Sequence, residues 1–352
     1  MIFLVHLMFS LHKHQLDIPI TLLLFLRLYN EVLFVSGHLS FYVSSAITTI
    51  LFFQVAKKWP SLIRELPHYQ LDEYIDPKLK TKCNVFILLF LSVAIVEHVL
   101  AELSGLAEVL NCAMDYSRLY RGYIESSFPW VTELGLPDHF LTGFCLQFIN
   151  ISATLTWNYS DIFIVCISYY LTSILEGISR KLTEDKNKYL SSKFWISIRE
   201  DFSNAAKLVR SFDDVVSGVL FTSFASNLFF ICFQLYNLLS NGMRHKASAV
   251  KCPRTESGPL GGYEEVIYLS YSMVFVLFRY LCVSLITARV HTTSQSLAPL
   301  LYSVPSSVYN IEVQRFLDQV HHDTVALSGL NFFYVTKSLV LTVSILFQLG
   351  FL

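Results

Sequence analysis

Apolar residues run along this chain in long unbroken blocks and not in alternation. Blocks at about 38–56, 84–107, 142–176, 214–240 and 265–288 carry few charges, and each is long enough to cross a bilayer core of ~30 Å, which needs roughly 20 helical residues. A sixth block, about 17–36, includes Arg27 and Glu31, and a seventh runs from Phe332 to Leu352. Barrel strands would instead alternate over ~10 residues. The pattern therefore predicts an all-α polytopic membrane protein, a seven-helix bundle over 17–352 preceded by a short N-terminal segment, 1–16.

Composition agrees. Of 352 residues, 53% are hydrophobic and only 15% are charged, where a soluble domain carries ~25% charged residues. The 29 Phe and 19 Tyr exclude a disordered chain. A formal net charge of −1 leaves no basic footprint for nucleic acid.

Charge in the connecting segments sets orientation. Segments 57–82, 177–212 and 289–337 hold 17 Lys and Arg, against six in 108–140 and 241–264. By the positive-inside rule the first set is cytoplasmic. With 17–36 counted as the first span, the N-terminus lies inside and the C-terminus outside, the reverse of a G-protein-coupled receptor.

Smaller signals change this picture little. Met1–Leu11 is apolar but has neither a basic start nor a small-residue cleavage site, so no signal peptide is expected. His12–Asp17 reads as a break. Five of the seven cysteines fall in or beside spans, where buried thiols are ordinary. Cys112 and Cys252 lie in segments assigned to the outside, where a disulfide can form. Sequons at Asn150 and Asn158 fall within a span and are read as chance matches. His321, His322 and Asp323 cannot share one helical face as metal ligands, and no nucleotide loop or HExxH is present. No metal, cofactor or catalytic residue is expected.

The polar residues inside the spans are the most informative. Gln147, Asn150, Thr154, Trp157 and Asp161 follow spacings of three, four, three and four, which puts them on one helical face. Glu97 and His98 stand in the outer half of the preceding span, Ser223, Asn227 and Gln234 in the following one, and Tyr268, Ser272 and Arg279 in the next. Such groups are expensive in lipid and face a bundle interior or wet cavity. Two readings stay open: interhelical hydrogen bonding, including a buried ion pair of Arg279 with Asp161 or Glu97, or a shared pocket open to the outside. An indole beside carboxylate and amides suits an uncharged polyhydroxyl ligand.

Several stretches resemble insect gustatory receptors, in the order that family shows: SFYVSS (Ser40–Ser45), AKKWP (Ala56–Pro60), VEHVL (Val96–Leu100), FINISATLTWNYSDIFI (Phe148–Ile164), REDF (Arg199–Phe202), SNLFFICFQL (Ser226–Leu235) and VQRF (Val313–Phe316). The run VALSGLNFFYVTKSLVLTV (Val325–Val343) is the most specific and resembles the sugar-receptor branch. The resemblance covers about 38–343 and implies a multi-pass plasma-membrane protein, a ligand-gated cation channel assembled as a homo- or heterotetramer. It also implies a sugar pocket facing outward, a cytoplasmic anchor at about 289–331 and a last helix lining the pore. The pocket positions so implied are Glu97, His98, Trp157, Asp161, Asn227 and Gln234, with Gln147, Asn150 and Arg279 beside them. A non-conducting sugar transporter is the alternative from another class.

The sequence departs from the family at both ends. The family's last helix continues after LTV into T-Y, five residues, then Q-F; here Leu341–Val343 is followed by SILFQLGFL. The family's long cytoplasmic N-terminal region has no counterpart either. The expectation is an incomplete seventh span and a chain truncated at both ends, which would either keep the pocket and lack a working gate or fail to assemble.

Overall fold

The computed structural model describes residues 20–110, 116–128, 140–185, 191–241, 263–306 and 309–341. They form α1 (Ile20–Tyr69), a 3-10 turn (Asp72–Tyr74), α2 (Leu79–Leu110), α3 (Tyr116–Ser127), α4 (Phe140–Asp185), α5 (Ser192–Asn241), α6 (Glu264–Gln295), α7 (Leu297–Tyr302) and α8 (Ile311–His322). A two-stranded hairpin follows, β1 (Ser328–Gly329) and β2 (Phe333–Tyr334). Among the described residues, five helices are long and apolar enough to cross a membrane. Contact clustering divides the chain into two units, 1–41 and 42–352; all packing below lies within the second.

Three expectations meet a different secondary structure. Where 17–36 and 38–56 are expected as separate spans, helix runs from Ile20 to Tyr69, 50 residues. Second, much of the basic segment 177–212 is helix, because α4 continues to Asp185 and α5 starts at Ser192. At 46 and 50 residues these helices reach about 70–75 Å, more than twice a bilayer core. Third, the stretch from Phe332 begins as the hairpin, and helix resumes only at 337. The rest of the expected seventh span, 342–352, and both Cys112 and Cys252 lie outside the described residues.

Helix α4 is the axis of the bundle. It packs on α2, α5 and α6, and 67% of its apolar window is buried against 11% of that in α2. Helix α2 turns Val85, Leu88, Leu89 and Ile95 outward, each more than half exposed. Apolar exposure on this scale would be a liability in water and is the natural surface toward lipid.

Beyond the apolar windows, α4 and α5 carry their own core. Trp195, Ile198 and Phe202 are buried, and Phe202 meets Phe316 of α8 at 5.4 Å between centroids. Asn310 caps α8, its Oδ1 accepting from the Glu312 and Val313 amides at 3.0 and 3.1 Å. Arg199 of the REDF motif donates to Glu312 at 3.2 Å. Asp213 accepts from the Ser328 amide and hydroxyl at 2.6 and 2.7 Å, which ties α5 to the hairpin. Its turn places Leu330 and Asn331 at φ 52° and 60°, with the Phe332 amide donating to the Gly329 carbonyl at 3.0 Å.

The corner between α1 and α2 is held to α4 and α5 by Tyr74, whose hydroxyl donates to Asp201 at 2.5 Å and accepts from Lys181 at 2.7 Å. Burial first, then hydrogen bonding to Asp201, pushes the Tyr74 phenol well above its ordinary range. Hydrogen bonding from Lys181 holds the exposed Glu73 carboxyl below its own. Close approach here requires Gly177: a Cβ would collide with the Tyr74 carbonyl oxygen and lie 2.8 Å from its Cα. Gly177→Ala therefore costs about 1–3 kcal/mol, the range for overpacking a tight contact. A fluorescence-detected melt of detergent-solubilised protein should show a lowered midpoint, while Gly105→Ala, whose nearest neighbour is a side-chain hydroxyl at 3.4 Å, should change it little.

Candidate functional site

All nine residues singled out as ligand-binding candidates fall into three polar clusters between the long helices. The deepest is built on Arg279 of α6 and Asp161 of α4, both fully buried. Arg279 donates to Asp161 Oδ2 from Nε at 2.9 Å and from Nη2 at 2.7 Å, to Asn158 Oδ1 at 3.1 Å, and to the Trp157 carbonyl at 3.1 Å. The guanidinium carbon lies 4.0 Å from the Trp157 ring centroid and 5.5 and 5.7 Å from those of Phe275 and Phe90. Hydrogen bonds and aromatic faces together satisfy a planar cation that could not be left bare in an apolar bundle.

Asp161 is satisfied from its other side. Ser223 of α5 donates to Oδ1 at 2.5 Å, and Asn227 Nδ2 donates to the Ser223 hydroxyl at 3.5 Å. One carboxylate thus joins α4, α5 and α6. Trp157 also packs on Phe230 at 4.9 Å, so the indole stands between Arg279 and α5.

The middle cluster joins α2, α5 and α6. Ser272 donates to Glu97 Oε1 at 2.8 Å and accepts from Gln234 Nε2 at 2.7 Å. Two amide oxygens on α5, Asn227 Oδ1 and Gln234 Oε1, are buried without a hydrogen-bond partner among the described residues. Seven residues apart, they share a face of the helix.

The third cluster centres on Glu102 of α2. Its carboxylate accepts from Gln147 at 2.8 Å, from Asn150 at 3.4 Å and from the Tyr123 hydroxyl, and His98 stands 3.8 Å away. Tyr42, from the SFYVSS run, donates to Asn150 at 3.4 Å. This cluster is the most open, with the His98 and Glu102 side chains 25% and 30% exposed.

Glu102 and Asn158 are functional-looking positions that the sequence reading passed over. The signal for Glu102 was its i+4 spacing from His98, and that for Asn158 its place beside Trp157. The ion pair left open in sequence is the one with Asp161; Glu97 pairs instead with a serine hydroxyl.

Comparison with known proteins gives this arrangement its context. The family described as "Trehalose receptor" matches residues 1–252 and 257–346. The chain belongs to that family, the sugar branch of the insect gustatory receptors. This receptor is 27% identical over 321 residues to the gustatory receptor for sugar taste 64b of Drosophila melanogaster, covering 87% of this chain and 73% of that one. It is 29% identical over 310 residues to the gustatory receptor for sugar taste 64f and over 312 residues to the gustatory receptor 5a for trehalose, both from the same fly. It spans 61% and 65% of the length of those two relatives. Its fold matches the insect olfactory receptor OR5 from Machilis hrabei at a TM-score of 0.59 and 13% identity, covering 90% of this chain and 78% of that one. The same olfactory receptor in complex with eugenol matches at 0.57 and 14%. This receptor is accordingly a multi-pass membrane chemoreceptor.

Removing one partner of a buried, hydrogen-bonded ion pair costs about 3–5 kcal/mol, because the other charge stays buried and bare. Asp161→Asn and Arg279→Gln should each lower the melting midpoint and surface delivery sharply. The double variant, with no net charge left in the site, should recover much of both. Additive losses in the double variant would show that the pair is not coupled.

Proposed function

We propose that this chain is a subunit of a sugar-gated, non-selective cation channel of the plasma membrane, with sugar bound among the polar faces of α2, α4, α5 and α6. The observation that carries the proposal is the pair of buried amide oxygens, Asn227 Oδ1 and Gln234 Oε1, lacking partners beside donors and acceptors already organised in the middle cluster. Buried acceptors left unmade are costly. Sugar hydroxyls, which donate and accept alike, are the chemistry that satisfies them.

The nine candidates divide by role under this reading. His98, Gln147 and Asn150, with Glu102, form the polar entrance. Glu97, Asn227 and Gln234 bind hydroxyls. Asp161, Arg279 and Trp157 form a floor whose hydrogen bonds fix the distance between α4, α5 and α6. The family membership supports sugar as the ligand class, and the segment charges support cytoplasmic placement of the α1–α2 corner and the α4–α5 junction. A single crossing by α1 between Tyr42 and Tyr69 then puts Tyr42 outside, beside the entrance cluster.

Gating follows if sugar binds the open arrangement more tightly than the closed one. A ligand that bridges α5 to α2 and α6 alters their spacing. Helix α5 continues into the region where Asp213 grips the hairpin that leads to residues 337–341. The strain has a covalent and hydrogen-bonded route out of the bilayer, toward the helix the family uses as its pore. Assembly as a homo- or heterotetramer with other subunits is part of the proposal.

Sugar-evoked current in cells expressing this chain, alone and with a longer sugar-receptor subunit, tests it. Asn227→Ala and Gln234→Ala should each raise the half-maximal sugar concentration about 2- to 10-fold, equal to one lost hydrogen bond of ~0.5–1.5 kcal/mol, with surface expression unchanged. Movement of labelled sugar without current would make the protein a transporter. Unchanged dose–response curves in both variants would remove sugar from this cluster.

A further inference from the structure

Two adjoining clefts of about 430 and 250 Å³ open at the end of the bundle remote from the entrance cluster, between the α1–α2 corner, α4 and α6. Lys82, Arg180 and Arg289 line them, with Asp76 and Glu176 as the acidic groups. Lys82 pairs with Asp76 at 2.7 Å and Arg289 with Glu176 at 2.7 Å. All four side chains keep contact with solvent, the two bases being 51% and 52% exposed, so neither pair is closed. Arg180 is exposed and makes no hydrogen bond or close ion pair among the described residues, its charge reaching Asp76 only through space. Three cations against two carboxylates leave one positive charge. A second, independent observation points the same way: Thr172, only 3% exposed, lines the smaller cleft with its Oγ1 buried and without a hydrogen-bond partner.

What leaves the clefts is as telling as what lines them. From Lys82 along α2, Val85 and Leu89 follow at three and seven residues, 52% and 62% exposed. From Arg289 back along α6, Leu285 and Leu281 follow at four and eight, 47% and 41% exposed. These spacings keep each apolar stripe on the face of its own basic residue. The cationic cleft therefore opens at the foot of two parallel lipid-facing stripes. A soluble anion would use only the charges, whereas an anionic phospholipid uses both.

We propose that this cleft binds the phosphodiester headgroup of an anionic phospholipid of the adjacent leaflet, with its acyl chains lying along the α2 and α6 stripes. Arg180 supplies the free bidentate donor, Lys82 and Arg289 share theirs, and Thr172 donates from beneath. The site clamps the α1–α2 corner to α4 and α6. Sidedness rests on the orientation proposed above, which makes the leaflet cytoplasmic; binding itself depends neither on that orientation nor on sugar gating.

The full chain in micelles, examined by native mass spectrometry with an equimolar mixture of phosphatidylinositol and phosphatidylcholine, tests the assignment. The expected result is selective retention of phosphatidylinositol, reduced on the order of tenfold in Arg180→Gln, a loss the size of one charge-assisted contact. Folding does not depend on an exposed, unpaired arginine, so this variant stays measurable, and Lys57→Gln, another exposed base, should retain the lipid as the parent does. Equal retention of the two lipids, or undiminished retention by Arg180→Gln, overturns the proposal. So does binding of soluble glycerophosphoinositol as tight as that of the lipid, which would mark a site for a soluble phosphate.

Discussion

The ion pair between Arg279 and Asp161 is the constraint on which this bundle depends. A guanidinium and a carboxylate without access to water can persist only if every remaining donor and acceptor is met. Asn158, the Trp157 carbonyl and Ser223 meet them. Each of those partners comes from α4 or α5, so satisfying one charge fixes three helices in register. Apolar packing alone would not, because lipid tails compete with any leucine surface. The pair exchanges desolvation cost for specificity of arrangement.

From that fixed level the rest of the interior takes its character. Toward the entrance, polar groups become progressively less enclosed, from Asp161 at 0% exposure to Glu102 at 30%. Away from it, α4 and α5 run on past the length of a bilayer core, and α5 buries Phe202 against Phe316 of α8. Under the proposed function, a change in helix spacing near Gln234 would travel along α5 to the region where Asp213 holds the hairpin. The same helices bring the α1–α2 corner against α4 at Gly177, next to the cationic clefts.

Much of this was legible in the sequence, because membrane insertion imposes a pattern that hydropathy reads directly. Five apolar blocks became five helices, and the 147-150-154-157-161 stripe does lie where α4 meets its neighbours. Boundaries were less legible. The block 17–36, with Arg27 and Glu31 inside it, read as a separate span, yet helix continues from Ile20 to Tyr69, since a charge weakens a helix without ending it. The basic segments flanking α4 and α5 read as loops because hydropathy falls there, although tertiary packing keeps them helical. Within the site, spacing located residues but could not choose partners. Whether Arg279 would pair with Asp161 or with Glu97 depended on helix rotation, and Glu102 went unnoticed because its importance lies in the four side chains that converge on it.

The claim that sugar occupies the polar faces of α2, α4, α5 and α6 is tested most directly by a cryo-electron-microscopy structure of the receptor in nanodiscs with saturating trehalose. The account predicts disaccharide density bounded by Glu97, Asn227 and Gln234, within hydrogen-bonding distance of both α5 amide oxygens and above an intact Arg279–Asp161 pair. Density at another surface of the bundle, with those two amides unchanged from the sugar-free receptor, would contradict it.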